Sequence, residues 1–200
     1  MPPYTKTEDG FELQLGANHL GHFLLTGLLL DTILKTPNSR VVSLSSLAHK
    51  SGQINFDDLQ SEQKYAALGA YSQSKLACLI FGNELQRRLA AAGHQQTISV
   101  TAHPGASDTE LARHMSKIVY AIFKYLLSPF VMHPPKAGAL PTLMAALGDD
   151  VKGGEYFGPQ GFKEMKGKPG RAKARSLSKN VTIGKRFWEV SEELVGLKYL

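Results

Sequence analysis

Apolar residues recur at helical spacing over residues 11–34, with Asp9 and Glu12 near the front and Thr36-Pro37-Asn38-Ser39 after the end. Acidic residues at the start and a proline past the finish predict a helix there. Residues 40–45 (Arg-Val-Val-Ser-Leu-Ser) are short, β-branched and bounded by turn residues, and predict a strand. Residues 48–64 are polar and read as loop. From 66 to 92 the positions Leu76, Leu79, Ile80, Leu85 and Leu89 return to helical period, and the pattern ends at Gly93. A second strand is predicted over 97–103, stopping at Pro104-Gly105. Residues 111–132 are apolar with scattered cations, and Pro134-Pro135 opens a helix to 147 that Pro141 is expected to kink or shorten. A strand over 155–157 lies between Gly153-Gly154 and Gly158-Pro159, and a last helix over 185–195 carries Phe187, Trp188, Val190 and Leu194. Helices alternating with short buried strands predict an α/β fold with a parallel, doubly wound sheet of about three strands. No internal repeat or linker divides the chain.

In such a sheet, ligands bind beyond the carboxyl ends of the strands. That places the chemistry near Ser45-Ser46 and near Pro104-Gly105. Composition narrows the classes. With 200 residues, 42% hydrophobic and 20% charged, the chain is long enough for a core and too apolar for disorder. The single cysteine, Cys78, excludes an internal disulfide and a multi-cysteine zinc site, and fits a reducing compartment. The N-terminal residues carry no secretory signal, and neither long uncharged stretch makes a membrane span, so the expected location is cytoplasmic.

The formal charge of +6 is unevenly placed. Residues 163–186 hold nine Lys or Arg and one acid, leaving the remainder slightly acidic. This segment reads as a basic surface loop. A patch for anionic lipid is the sharper reading, and the lack of interleaved aromatics argues against nucleic acid.

Tyr71-Ser72-Gln73-Ser74-Lys75 places a phenol and an ammonium four residues apart on one helix face. A free tyrosine titrates near pH 10 and is a poor base; a neighbouring cation stabilises the phenolate and brings it toward acid–base use. A serine hydroxyl alongside would hold a substrate oxygen. The set suits proton exchange with an alcohol or carbonyl. A second Tyr-x-x-x-Lys, Tyr120 to Lys124, lies in an apolar stretch without a serine-bearing strand before it. His19 and His22 lack the third ligand of a metal site. Gly161 to Lys168 is one residue too long for a phosphate loop, with Pro169 where Ser or Thr is required. A serine–lysine hydrolase using Ser46 and Lys75 would lack the Gly-x-Ser-x-Gly elbow and leave Tyr71 idle.

Tyr71 to Lys75, the strand Arg40-Val41-Val42-Ser43-Leu44-Ser45-Ser46, Asn18-His19-Leu20-Gly21-His22-Phe23 and His103-Pro104-Gly105 together resemble the short-chain dehydrogenase/reductase family. Asn55-Phe56-Asp57-Asp58-Leu59 and the ending Phe187 to Leu194 resemble its retinol-dehydrogenase and WW-domain-oxidoreductase branch. The resemblance covers essentially the whole chain and implies a Rossmann-like fold. It implies that Tyr71 is the acid/base, that Lys75 assists it and holds the nicotinamide ribose, and that Ser46 positions the substrate oxygen, with Ser45 and Ser43 as alternatives. It further implies that Asn18 anchors a water chain behind the lysine, and that Pro104, Gly105 and Thr109 meet an NAD or NADP cofactor. Residues 112–132 would build an apolar substrate pocket, and the helices over 11–34 and 66–92 would pair copies into a homo-oligomer.

Ser46 and Tyr71 are 25 positions apart, the spacing of the retinol-dehydrogenase branch with its insertion over 48–68. What departs from the family is an absence: no Gly-x-x-x-Gly-x-Gly or Gly-x-Gly-x-x-Gly occurs in the chain. Residues 1–200 therefore read as one partial domain, the C-terminal two-thirds, with about 60–90 residues of βαβ structure expected upstream. The strand over 40–45 is then expected to show an unpaired edge, and the chain alone to aggregate and fail to hold cofactor. Two functions follow: an NAD(P)-dependent oxidoreductase for an apolar alcohol or carbonyl, or a non-catalytic remnant acting as a binding module.

Overall fold

A computed structural model of the chain describes residues 1–106 and 134–200. The first helix begins where Glu12 caps it: its carboxylate accepts the backbone N–H groups of Gln14 (2.9 Å) and Leu15 (2.7 Å), satisfying donors that a helix start leaves open. After α1 (Leu13–Leu15) the backbone widens into a π-helical turn, Gly16–Leu20, and tightens again into α2 (Gly21–Lys35). The helix expected over 11–34 is thus interrupted at the turn holding Asn18. Such wide turns are often found at functional sites.

Strand β1 (Arg40–Leu44) pairs in parallel with β2 (Ile98–Ala102), from Arg40 opposite Ile98 to Leu44 opposite Ala102. The 25-residue helix α3 (Ala67–Ala91) makes the crossover between them. After α4 (Pro135–Leu147), β3 (Tyr156–Pro159) pairs in parallel with β2, and β4 (Pro169–Arg171) runs antiparallel to β3. The sheet order is β1-β2-β3-β4, and α5 (Val181–Val195) closes the chain.

Alternation along β2 distributes the helices over both faces. Thr101 points at α3, so closely that a Cβ on Gly82 would sit 2.5 Å from its Oγ1. Val100 and Ala102 face the other way and pack with Phe157 and with Ala145 of α4. On the α3 side, Leu76, Ala77 and Ile80 pack with Leu15, Leu20 and Phe187, while Phe81, Leu85 and Leu89 pack with Phe23 and Trp188. The fold is α/β with helices on both sides of a mostly parallel sheet.

Four local features differ from the sequence expectations. Helix α4 runs unbroken through Pro141. Helix α5 starts at Val181 rather than 185, because Asn180 Oδ1 accepts the N–H of Ile183 as a cap. Strand β3 extends to Pro159 because β4 pairs with it, which makes four strands rather than three. The segment 163–186 is accordingly not a plain loop. Its charges are also partly matched: Arg171 bonds Glu155 (2.6 Å) and Asp150 (3.2 Å), and the Arg186 guanidinium lies 4.0 Å over the Phe56 ring. Among the described residues β1 pairs on one side only, and Leu44 and the α2 residues Leu25, Leu28 and Leu29 are exposed. No helix among the described residues is long and apolar enough to cross a membrane.

Candidate functional site

The parallel ladder of β1 and β2 carries one hydrogen bond beyond its last pair, Ser45 N–H to Ala102 O at 2.8 Å. Both strands therefore release their chains side by side at the same end of the sheet. Ser45 is buried, and its hydroxyl donates to the backbone carbonyl of Lys75 (2.8 Å), tying β1 to α3. Ser46, half-buried, only accepts a long bond from Ala48 N–H (3.3 Å), so among the described residues no acceptor takes its hydroxyl proton. Ser43 remains within the strand. The sequence reading puts Ser46 first, with Ser45 and Ser43 as alternatives; the helix behind Ser45 gives the three different hydrogen-bond partners.

Tyr71 and Lys75 lie one turn apart on α3, both half-buried. The Lys75 ammonium stands 5.8 Å from the Tyr71 ring centre and donates to Leu44 O (3.3 Å), so it is drawn toward the end of β1. Asn18 reaches the same place from the π-turn. Its amide donates to Ser74 Oγ (2.9 Å), and Ser74 donates in turn to the carbonyl of Tyr71 (2.9 Å). His22 Nδ1 and Cys78 Sγ both donate to Asn18 O, each at 3.0 Å. Burial pushes the Cys78 thiol up to about 11, so it is no nucleophile at neutral pH. Ser74, one position before Lys75 in the quoted motif, carries no pattern signal of its own; only its place between Asn18 and Tyr71 reveals its role.

After β2 the chain turns at Pro104-Gly105. Gly105 has φ +74°, a left-handed conformation natural to glycine, and a Cβ there would lie 2.3 Å from Met165 O. Its N–H donates to His103 Nδ1 (3.1 Å), and the N–H of Ala106 donates to Met165 O (2.7 Å). Beneath the two strand ends lie His49, His103 and Tyr156, to none of which the sequence reading gives a role. Burial lowers both histidines, His103 to about 4, and raises the Tyr156 phenol.

Thr109, the apolar stretch 112–132 and the Tyr120/Lys124 pair fall outside the described residues. His19 and His22 turn to separate partners, Ser191 Oγ and Asn18 O. Residues 161–168 form the hairpin between β3 and β4, closed by Gln160 N–H to Lys168 O and Gly161 N–H to Lys166 O. No helix follows it to receive a phosphate. The structure thus brings Asn18, Ser46, Tyr71, Lys75 and the Pro104-Gly105 turn to one end of the sheet. A phenol, an ammonium, a free hydroxyl and a close-packed backbone turn fit the ribose and carboxamide end of a nicotinamide cofactor. A glycine-rich cradle for its pyrophosphate is not among these residues.

No family model matches the chain. Retinol dehydrogenase 11 of Homo sapiens is 42% identical over 199 residues, which are 98% of this chain and 58% of that protein. Retinol dehydrogenase 14 of Mus musculus is also 42% identical over 199 residues, 56% of its length, and retinol dehydrogenase 12 of Homo sapiens is 41% identical over 201 residues, 59% of its length. The chain spans a little over half the length of these curated relatives. A crystal structure of an uncharacterized protein from Mycobacterium Paratuberculosis superposes with a TM-score of 0.77 at 38% identity, covering all of this chain and 64% of that one.

Proposed function

This chain belongs to the short-chain dehydrogenase/reductase family, similar to its retinol dehydrogenases, and we propose on that basis that it carries the catalytic side of an NAD(P)-dependent oxidoreductase acting on an apolar alcohol or carbonyl. The observation that carries the reading is the convergence of Tyr71 and Lys75 on the exit of β1, with Lys75 held to Leu44 O and Ser45 held to Lys75 O.

The nicotinamide, when bound, supplies hydride transfer, and the proton chemistry belongs to this chain. In the oxidation direction the Tyr71 oxygen takes the hydroxyl proton of the alcohol; in reduction it returns a proton to the carbonyl oxygen. The Lys75 ammonium, 5.8 Å from the centre of the Tyr71 ring, would offer donors to ribose hydroxyls. Ser46, whose hydroxyl proton is uncommitted among the described residues, donates to the substrate oxygen and fixes its approach. Asn18, through Ser74, orients the α3 turn that carries Tyr71. The Pro104-Gly105 turn would hold the cofactor, a role the family resemblance implies for Thr109 as well.

The test is Tyr71→Phe in the full-length protein, assayed with NAD and NADP and a series of apolar alcohols and aldehydes. Removing a positioned acid/base should lower kcat by about 10²–10⁴-fold. Undiminished turnover would remove Tyr71 from the mechanism, whereas no turnover by the wild type with either cofactor would leave the binding-module reading in its place.

A further inference from the structure

We propose that His49 and His103 are positioning residues of this site: His49 holds the carbonyl of Ser46, His103 holds the amide of Gly105, and Tyr156 lies between their rings. The serine-bearing exit of β1 and the turn after β2 are thereby fixed as one unit. This rests on the oxidoreductase reading for what the unit does, and on the geometry alone for how it is held.

The hydrogen bonds assign the ring protons. Ser46 O accepts from both the backbone N–H of His49 (3.0 Å) and its Nδ1 (2.6 Å), and a carbonyl can only accept, so His49 carries its proton on Nδ1. Its Nε2 faces the backbone N–H of Arg175 (3.3 Å), which can only donate, so that nitrogen is bare. His103 is the reverse. Its Nδ1 accepts from Gly105 N–H (3.1 Å), which puts the proton on Nε2. That nitrogen has no hydrogen-bond partner among the described residues, and Glu164 Oε2 stands 3.9 Å away. Two opposite tautomers, each neutral, thus serve two opposite needs: a donor for a carbonyl and an acceptor for an amide.

The surroundings hold both rings still. Tyr156 lies edge-on to His49 (5.5 Å between centres) and tilted against His103 (5.1 Å), and its hydroxyl is 3.4 Å from His49 Nδ1. A Cβ on Gly158 would fall 1.9 Å from His103 Nε2, so a glycine at that position of β3 makes room for the ring. Glu164, which faces His103, accepts from Lys50 (2.8 Å) and from the N–H of Lys173 (2.8 Å). The charged groups facing the pair are therefore Lys50, Glu164 and Arg175. Both histidines are fully buried, and neither side chain extends into the site itself.

The experiment compares Phe, Asn and Gln at each position in the full-length protein. Asparagine sets its amide near the place of Nδ1, whereas glutamine reaches the place of Nε2. For His103→Phe we expect the cofactor KM to rise about ten-fold, the worth of one hydrogen bond, with kcat at saturating cofactor little changed. His103→Asn should restore most of it and His103→Gln should not. For His49→Phe the loss should fall on kcat through Ser46, with Asn again the better replacement. A merely structural role would lower Tm and both constants together, with no preference between Asn and Gln. Ring ¹⁵N shifts read the tautomers without catalysis: Nδ1–H for His49 and Nε2–H for His103. Reversed tautomers, or Asn and Gln variants alike in KM and in the Gly105 amide shift, would overturn the proposal. If the wild type shows no turnover with NAD or NADP, the oxidoreductase reading fails separately. The positioning is then judged by the Ser46 and Gly105 backbone resonances, which must shift in the Phe variants and return in the Asn variants.

Discussion

Acidification should destabilise this protein through His19, and the size of the effect follows from its surroundings. His19 sits in the π-turn, 1% exposed, with its ring centre 4.7 Å from Phe187, 5.8 Å from Phe23 and 5.9 Å from Phe81. Ser191 donates its hydroxyl proton to Phe187 O (2.8 Å), so it can only accept from His19, and Nε2 of His19 is the donor (2.9 Å). Its Nδ1 is buried without a partner among the described residues. A second proton would create a charge among aromatic rings with nothing to receive it. Burial, with a smaller push from His22, lowers this histidine from 6.5 to about 3. The sign follows from proton counts: between those two values the unfolded chain binds a proton that the folded chain refuses, so stability is complete above 6.5 and is lost as pH falls. From pH 7 to pH 5 the loss through His19 is about 2 kcal/mol. Urea unfolding of the wild type and of His19→Gln at the two pH values measures it. Glutamine keeps a donor toward Ser191 and cannot titrate. His49 and His103 contribute with the same sign to both proteins and cancel in the comparison. The wild type should lose about 2 kcal/mol more than the variant on acidification. Parallel losses would refute the buried, neutral assignment.

Two packing predictions test how the site is supported. Gly52→Ala would place a Cβ 2.3 Å from the carbonyl oxygen of Ser72 and 3.0 Å from Leu76 Cβ, forcing the turn Leu47–Ser51 away from α3; a stability loss of about 1–3 kcal/mol is expected, and an unchanged Tm would show that the turn yields freely. Glu84 is 2% exposed and bonded by Arg88 Nε (3.0 Å) and by Arg87, while Arg88 also stacks 4.5 Å over Trp188 and bonds Leu200 O. Glu84→Ala should cost about 1–3 kcal/mol in urea unfolding, and Glu84→Gln should cost less than Ala.

Period and punctuation in the sequence determined the helices, the three parallel strands and the α/β class, because these depend on apolar spacing and on local stops. Glu12 marks a helix start by chemistry that acts within three residues, whereas the sequence reading misses the equally local Asn180 cap and begins the last helix four residues late. The Tyr71/Lys75 pair was legible for the same reason, since a four-residue step on a helix fixes which side chains share a face. Strand β4 was not legible: Pro169-Gly170-Arg171 has no strand propensity, and only its pairing with β3 makes it one. That the Ser45 hydroxyl is already committed also needed the tertiary structure, because α3 supplies the carbonyl that binds it. Ser74 gains its meaning from Asn18, 56 residues away, and His49 and His103 gain theirs from Tyr156, which reaches them from β3. Local propensity decides what a segment becomes. Which of its polar atoms are already satisfied, and which remain free to act, is decided only by the distant backbone that packs against them.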